Sequence, residues 1–239
     1  MTFAPSPPSF DAIAACGIGG LAVLMAAAVA WVWRRHVPRS APAAIAVLAV
    51  WMAATAALAS SGALARFDRV PPPMAIFMPS VFALAFGAGL SPAGAALARA
   101  VPLSTLIGLQ AFRLPLELVM HRAGTLGIMP PELSYGGYNF DILTGAGALG
   151  LWLLLRAGVA VPRAAVWAWN AWGLWCLAVI TAIAVTTSPM VRAFGDDPRH
   201  VNTWVLFFPY VWLPAVLVLI ALAGHLVIAR ALRAGRPTA

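Results

Sequence analysis

Apolar residues in this chain are grouped into blocks of about 20, the length of helix that crosses a hydrocarbon layer of about 30 Å. Because every backbone N–H and C=O group inside a bilayer needs an internal partner, such blocks are expected to be α-helices. Hydrophobic residues make up 62% of the 239 residues, and charged residues only 9%. A soluble domain needs roughly a quarter of its residues charged, so this composition excludes one. The sequence therefore predicts an all-α membrane protein that crosses the bilayer several times.

The blocks predict a bundle of seven transmembrane helices that forms a single domain over residues 1–239. They cover residues 11–33, 41–64, from the end of the Pro71–Pro73 run to 90, 102–121, 140–155, 164–187 and 203–229. The stretch 91–100 is small and weakly apolar, so we interpret it as a connection between the third and fourth helices.

The distribution of arginine predicts which end of the bundle faces the cytoplasm. By the predicted spans, about nine arginines lie on one side and about five on the other, and positive charge is retained on the cytoplasmic side. This count favours an N-terminus outside and a C-terminus inside. Asp11 opens the first block without a preceding arginine, so the block is interpreted as a retained helix and not as a secretory signal.

Several classes of function are excluded by the same residues. The net charge of +8 comes from arginines scattered between apolar blocks, so it does not predict a nucleic-acid partner. All 15 basic residues are arginine, and the absence of lysine excludes a Schiff base such as the one that binds retinal. The sequence lacks the spacings typical of zinc and nucleotide sites, so we predict no metal and no cofactor.

Four polar residues lie inside the fourth block. Gln110, Arg113, Glu117 and His121 are spaced so that they fall on one face of a helix. A charge near the centre of a bilayer costs about 2.5–3.5 kcal/mol, so this face is expected to contact protein or a water-filled cavity. Pro115 lies between the two charged residues and predicts a kink or a local opening of the helix.

Two polar residues at the start of the fifth block are expected to lie at a similar depth. Asn139 is predicted to cap the fifth helix, and Asp141 is predicted to pair with Arg113 or Arg122. An ion pair between Arg113 and Glu117 is an alternative. The predicted binding site comprises Gln110, Arg113, Glu117, His121, Asn139 and Asp141.

Two further polar residues, Asn170 and His225, are predicted near the inner ends of the sixth and seventh helices. We interpret them as partners in local hydrogen bonds between helices. By this placement His121 and His225 lie at opposite ends of the bundle, so they are not expected to share a haem.

The run from Gln110 to His121 is followed by Pro130 and by Asn139-Phe140-Asp141-Ile142-Leu143-Thr144-Gly145. The segments Asn202-Thr203-Trp204, Phe208-Pro209 and Trp212-Leu213-Pro214 come later. In these segments, over about the last half of the chain, the sequence resembles uncharacterised polytopic membrane proteins of bacteria. The resemblance implies a multi-pass protein of the bacterial inner (plasma) membrane, and it implies no activity.

Three hypotheses about function remain open, all with bilayer lipid as a partner. The first is a transporter- or permease-like protein whose pocket, lined by Arg113, Glu117 and His121, handles a small polar or ionic solute. The second is a membrane-embedded enzyme with an extracytoplasmic site, in which His121 and Glu117 act as acid and base. The third is a structural or assembly subunit, because small residues around Gly17–Gly20 and Gly145–Gly147 favour close packing with a membrane-protein partner or a second copy.

Overall fold

The computed structural model describes residues 5–235, in which the regular structure is helical and no β-strand occurs. The prediction of an all-α membrane bundle is confirmed, and the single domain over residues 1–239 stays a prediction. The helices are α1 (Ala12–His36), α2 (Ala41–Ser60), α3 (Pro73–Leu90), α4 (Pro92–Ala100), α5 (Leu103–Thr125), α6 (Ile142–Arg156), α7 (Arg163–Thr186) and α8 (Leu213–Arg233).

Six of the helices in this described range are long and apolar enough to cross a membrane, and α4 and α6 are shorter. The prediction of seven spans therefore matches the bundle approximately, with α6 as the seventh apolar helix. The prediction for residues 91–100 was wrong in detail, because α4 forms where a plain connection was expected. Ser91 accepts a hydrogen bond from the backbone N–H of Gly94, and Pro92 supplies the first helical residue, so this segment has a complete helix start.

The last helix begins ten residues later than the sequence predicted. Residues 203–212 form a mostly buried segment of turns, and the helix starts with a π-helical stretch at Leu213–Val218. The indole N–H groups of Trp51 and Trp212 donate to the carbonyls of Ala215 and Met52, at 2.8 and 3.2 Å, and tie this start to α2. The later start places His225 near the middle of α8 instead of at its inner end.

The helix α5 changes its winding just before Pro115. Residues Gln110–Phe112 form a turn of 3-10 helix between two α-helical parts. Proline at position 115 removes the hydrogen bond to the carbonyl of Ala111 and crowds that carbonyl, which accounts for a local change at this level. Arg113 is the first residue after the changed turn, so the irregularity lies directly next to the predicted site.

The helices α5 and α6 cross in close backbone contact at Gly145. A Cβ atom on Gly145 would lie 2.3 Å from the backbone nitrogen of Leu114 and 2.9 Å from the carbonyl carbon of Arg113. Since real side chains do not approach so closely, only glycine permits this crossing. The contact brings the beginning of α6 against the turn of α5 that carries Arg113.

The loop between α5 and α6 and the loop between α7 and α8 lie at the same end of the bundle as the N-terminus of α1. We call this the outer end after the predicted orientation. The Asp11 carboxylate binds the Arg122 guanidinium at 2.8 and 3.0 Å, and this hydrogen bonding lowers the pKa of Asp11 to about 2. The Glu132 and His200 side chains join the two loops. The orientation itself stays a prediction, and Arg236, one of the arginines counted for it, lies outside the described residues.

The glycine crossing predicts a strong difference between two alanine substitutions on α6. Gly145→Ala is expected to lower the free energy of unfolding by about 1–3 kcal/mol, because the added methyl group forces the two backbones apart. Within the described chain, nothing lies within 4 Å of a Cβ built on Gly150, so Gly150→Ala is the matched control. That control is expected to be neutral or stabilising by up to about 1 kcal/mol. Thermal unfolding in detergent micelles measures both, and equal behaviour of the two variants contradicts the close crossing.

Candidate functional site

A buried ion pair between Arg113 and Asp141 lies at the centre of the bundle. The Arg113 Nε donates to Asp141 Oδ2 at 2.6 Å, and Arg113 Nη2 contacts the same oxygen. The two residues are only 1% and 5% exposed. Of the alternatives given for these charges, the structure has the pairing of Asp141 with Arg113, whereas Arg122 binds Asp11. Asp141 occupies the N-cap position of α6 and turns its carboxylate toward Arg113.

His225 of α8 completes the binding of the Arg113 guanidinium. Arg113 Nη1 lies 2.8 Å from His225 Nε2, and His225 Nδ1 lies 2.9 Å from Asn170 Oδ1. A guanidinium group donates hydrogen bonds and cannot accept them, so Nε2 must be the acceptor. The proton of the neutral imidazole is then on Nδ1, which donates to Asn170. The contacts with His225 and Asn170 connect the ion pair to α8 and α7.

The Glu117 carboxyl group is held from the loop that precedes α6. Asn139 Nδ2 donates to Glu117 Oε1 at 2.8 Å and to the carbonyl of Leu133 at 3.1 Å, while Asn139 Oδ1 accepts from the backbone N–H of Asp141. Asn139 was predicted to cap the fifth helix; instead it connects the two carboxyl-bearing residues. We call the six residues of these three groups the buried polar cluster: Arg113, Glu117, Asn139, Asp141, Asn170 and His225.

The remaining two predicted site residues lie outside the buried polar cluster. Gln110 is buried one turn before Arg113, and its amide nitrogen packs so closely on Gly224 that a Cβ there would lie 2.1 Å away. His121 stacks on Tyr135 with ring centroids 4.3 Å apart. His121 lies on the same helical face as Arg113 but eight residues further along α5, which is about 12 Å at 1.5 Å per residue. His121 thus takes no part in the hydrogen bonds described for the cluster, and its place in a binding site stays a prediction.

Asn170 and His225 belong to this cluster, although neither is among the site residues that the sequence predicts. Both were identified as polar residues within apolar blocks, but the predicted start of the last helix placed His225 at the wrong depth. Pro209 and Pro214 mark the irregular start of that helix, and they are the signal that would have moved His225 toward the centre. Glycine at position 173 allows this arrangement, because a Cβ there would lie 2.4 Å from His225 Nε2.

A small cavity of about 30 Å³ adjoins the ion pair and the Glu117 carboxyl group. Its polar lining is Arg113, Glu117, Asn139 and Asp141. Its apolar lining includes Met120, Ile180 and Leu213, which lie toward the outer end of α5, α7 and α8. On the inner side, a separate cluster of buried apolar residues contains Ile107, Val166 and Ile228. The cavity therefore extends from the ion pair toward the outer end, and apolar side chains fill the inner half.

Two carboxyl oxygens beside this cavity are buried and unpaired. Glu117 Oε2 and Asp141 Oδ1 have no hydrogen-bond partner among residues 5–235. Buried polar atoms are normally paired, because an unpaired acceptor loses its hydration without compensation. The two oxygens thus mark the part of the site that can receive a ligand or a proton.

A known protein family matches the part of the chain that contains the buried polar cluster. Residues 70–233 match the family described as a domain of unknown function, DUF8737. The chain belongs to this family. The DUF8737 region contains α3 through α8 and therefore every member of the buried polar cluster. No curated protein and no solved structure matches the chain.

The two carboxyl groups of the cluster are expected to respond differently to neutral substitution. Asp141→Asn removes the carboxylate that balances Arg113, and an uncompensated buried charge costs roughly 3–5 kcal/mol. Glu117→Gln keeps an acceptor for Asn139, so its cost is expected to stay below about 1.5 kcal/mol. Thermal unfolding of the purified variants in one detergent compares them. A loss for Glu117→Gln as large as that for Asp141→Asn contradicts the assignment of Asp141 as the main counter-ion.

Proposed function

We propose that this chain is a transporter- or permease-like protein of the bacterial inner membrane, in which the buried polar cluster handles a small polar or ionic solute. The observation that carries the proposal is an ion pair buried between the middle of α5 and the start of α6, next to a cavity-lining carboxyl group that has an unpaired oxygen. A buried ion pair can often be replaced by apolar residues without loss of stability. Stability alone therefore does not explain why charges occur at this depth.

The arrangement of the cluster supports a site that changes with helix movement. Arg113 and Glu117 belong to α5, Asn139 and Asp141 precede α6, Asn170 belongs to α7, and His225 belongs to α8. A shift of α8 relative to α5 would break the contact between Arg113 and His225 while leaving the contact with Asp141 in place. Transporter sites are commonly formed where helices are interrupted near the membrane centre. The 3-10 turn in α5 is an interruption of this kind, and the π-helical start of α8 is a second irregularity on the outer side of the cluster.

The size of the cavity limits what the site holds in this conformation. Pockets for drug-sized organic ligands have volumes of about 300–1,000 Å³, whereas this cavity measures about 30 Å³. It accommodates water or a small ion. A larger solute requires the helices on the outer side of the cluster to separate.

The enzyme hypothesis receives less support from the geometry. It requires His121 and Glu117 to act together as acid and base. Glu117 lines the cavity and binds Asn139, whereas His121 stacks on Tyr135. The two side chains therefore have separate environments.

The hypothesis of an assembly subunit loses most of the packing surfaces on which it depended. Gly17 packs on Val119, Gly145 on the backbone of α5, and Gly147 on Trp169, all within the chain. These small residues are used for the internal packing of the bundle. Gly20, in contrast, is exposed and has nothing within 4 Å of a built Cβ in the described chain, so contact with a partner protein or a second copy stays a prediction.

A transport measurement on reconstituted protein tests the proposal. Purified protein in liposomes on a solid-supported membrane is exposed to concentration jumps of small ions, monocarboxylates, amino acids and amines. A charge displacement is expected for at least one of them, and Glu117→Gln is expected to reduce it by roughly tenfold or more, a loss of about 1.4 kcal/mol or more.

The matched control is Thr55→Val, because Thr55 is also buried but bonds only within α2, to the carbonyl of Met52, among the contacts described for it. This variant is expected to keep the wild-type response. The proposal is wrong if no solute gives a response in the wild type, or if Glu117→Gln and Arg113→Ala both respond like Thr55→Val.

A further inference from the structure

We infer that the site takes up one proton per chain from the outer side, and that Glu117 Oε2 is the atom that binds it. The inference rests on the proposed function where it treats this proton as cargo or coupling ion. The binding of the proton itself is a separate property of the cluster. Four observations support it: the charge of the cluster, its unpaired atoms, the groups already bound to Arg113, and the position of the cavity.

The charges of the cluster leave one negative charge without a counter-ion. Arg113 and Asp141 balance each other through their ion pair. His225 is neutral, because its Nε2 accepts from Arg113 and its Nδ1 donates to Asn170. An ionised Glu117 would then be an uncompensated charge in a low-dielectric interior, which is strongly unfavourable. One positive charge at Glu117 makes the cluster neutral.

Two carboxyl oxygens of the residues that line the cavity lack a hydrogen-bond donor. In the described part of the chain, Glu117 Oε2 and Asp141 Oδ1 are acceptors without a partner. A proton on Glu117 Oε2 converts one acceptor into a donor, which leaves one donor and one acceptor facing the same cavity. The step is balanced, because the Glu117 carboxylate takes H⁺ from a hydronium ion and releases one water molecule.

Other small ligands fit these groups less well. An anion would lie beside two unpaired carboxyl oxygens and would add negative charge to a cluster that already has one in excess. The Arg113 guanidinium is moreover already bound through Nε to Asp141 and through Nη1 to His225. A hard metal cation takes about six or more oxygen ligands. The two unpaired carboxyl oxygens supply only a minority of these, and the neighbouring guanidinium repels a cation. A proton needs a single oxygen.

The surroundings of Glu117 contain few other groups that could take the same proton. On the outer side of these elements and at the level of the cluster, the charged or titratable side chains are these: Asp11 and Cys16 at α1, Arg113, His121 and Arg122 on α5, Glu132, Tyr135, Tyr138 and Asp141 in the loop before α6, Cys176 on α7, and Tyr210 and His225 in residues 203–233. The other charged side chains of α1, α7 and α8 lie at the inner ends of these helices. Asp141 is bound to Arg113, and His225 already has both ring nitrogens in hydrogen bonds. The cavity leads from Glu117 toward Met120 and Leu213, so the exchange is with the outer side.

Carbon-13 NMR of the carboxyl groups tests the inference directly, because Glu117 and Glu132 are the two glutamates of the chain. The full chain is labelled at the glutamate carboxyl carbon and studied in lipid bilayers from mildly acidic to alkaline pH. Glu117→Gln and Glu132→Gln each remove one signal and thereby assign the other. The Glu117 signal is expected at the position of a protonated carboxyl group at neutral pH, and to move to the ionised position in one step at alkaline pH.

Two results would overturn the inference. One is a Glu117 signal that is already ionised at neutral and mildly acidic pH. The other is a signal that moves when sodium or potassium is added at constant pH, which identifies a metal cation in place of the proton. The measurement needs no transport. A protonated Glu117 without any solute response refutes only the proposed function, and a solute response with an ionised Glu117 refutes only the proton inference.

Discussion

The ion pair of Arg113 and Asp141 is the interaction on which the centre of this bundle depends. Neither charge is exposed, so each residue requires the other, and the chain must bring α5 and the start of α6 together. Gly145 makes that approach possible by allowing the two backbones to touch. His225 then fixes the remaining face of the guanidinium, which connects α8, and through Asn170 also α7, to the same point.

The rest of the bundle is organised around this centre in two unequal halves. Toward the inner end, the helices pack through apolar side chains such as Ile107 and Ile228. Toward the outer end lie the cavity, the loop that carries Asn139, and the irregular segment before Leu213. The larger cluster of buried apolar residues also lies on this outer side and includes Ile18, Met129 and Leu206, so the cavity is a polar site within a largely apolar core.

The sequence alone predicts the helices well, because block length and hydropathy reflect the thickness of a bilayer directly. It also predicts that Arg113, Glu117 and Asp141 face the interior, since charges on a lipid-facing surface are costly. It does not predict which charges meet. Helical periodicity gives the face of a residue but not its depth against other helices, and for this reason His121 was included and His225 was missed.

The failure at His225 has a specific physical cause. Hydropathy treats residues 203–212 as part of the last helix, because they are apolar and become buried. Burial in a turn and burial in a helix give the same apolar signal. The cluster therefore had to be assembled from contacts between distant residues, including the contact of Arg113 with a histidine more than a hundred positions later.

A double-mutant cycle on the ion pair tests the central claim most directly. Arg113→Gln, Asp141→Asn and the double variant are compared with the wild type by unfolding in the same detergent. Each single substitution leaves a buried group without its partner and lowers the free energy of unfolding. The loss in the double variant is expected to be smaller than the sum of the two single losses, by a coupling energy of about 2 kcal/mol or more. Losses that simply add would contradict the account, because they would mean that the two charges do not depend on each other.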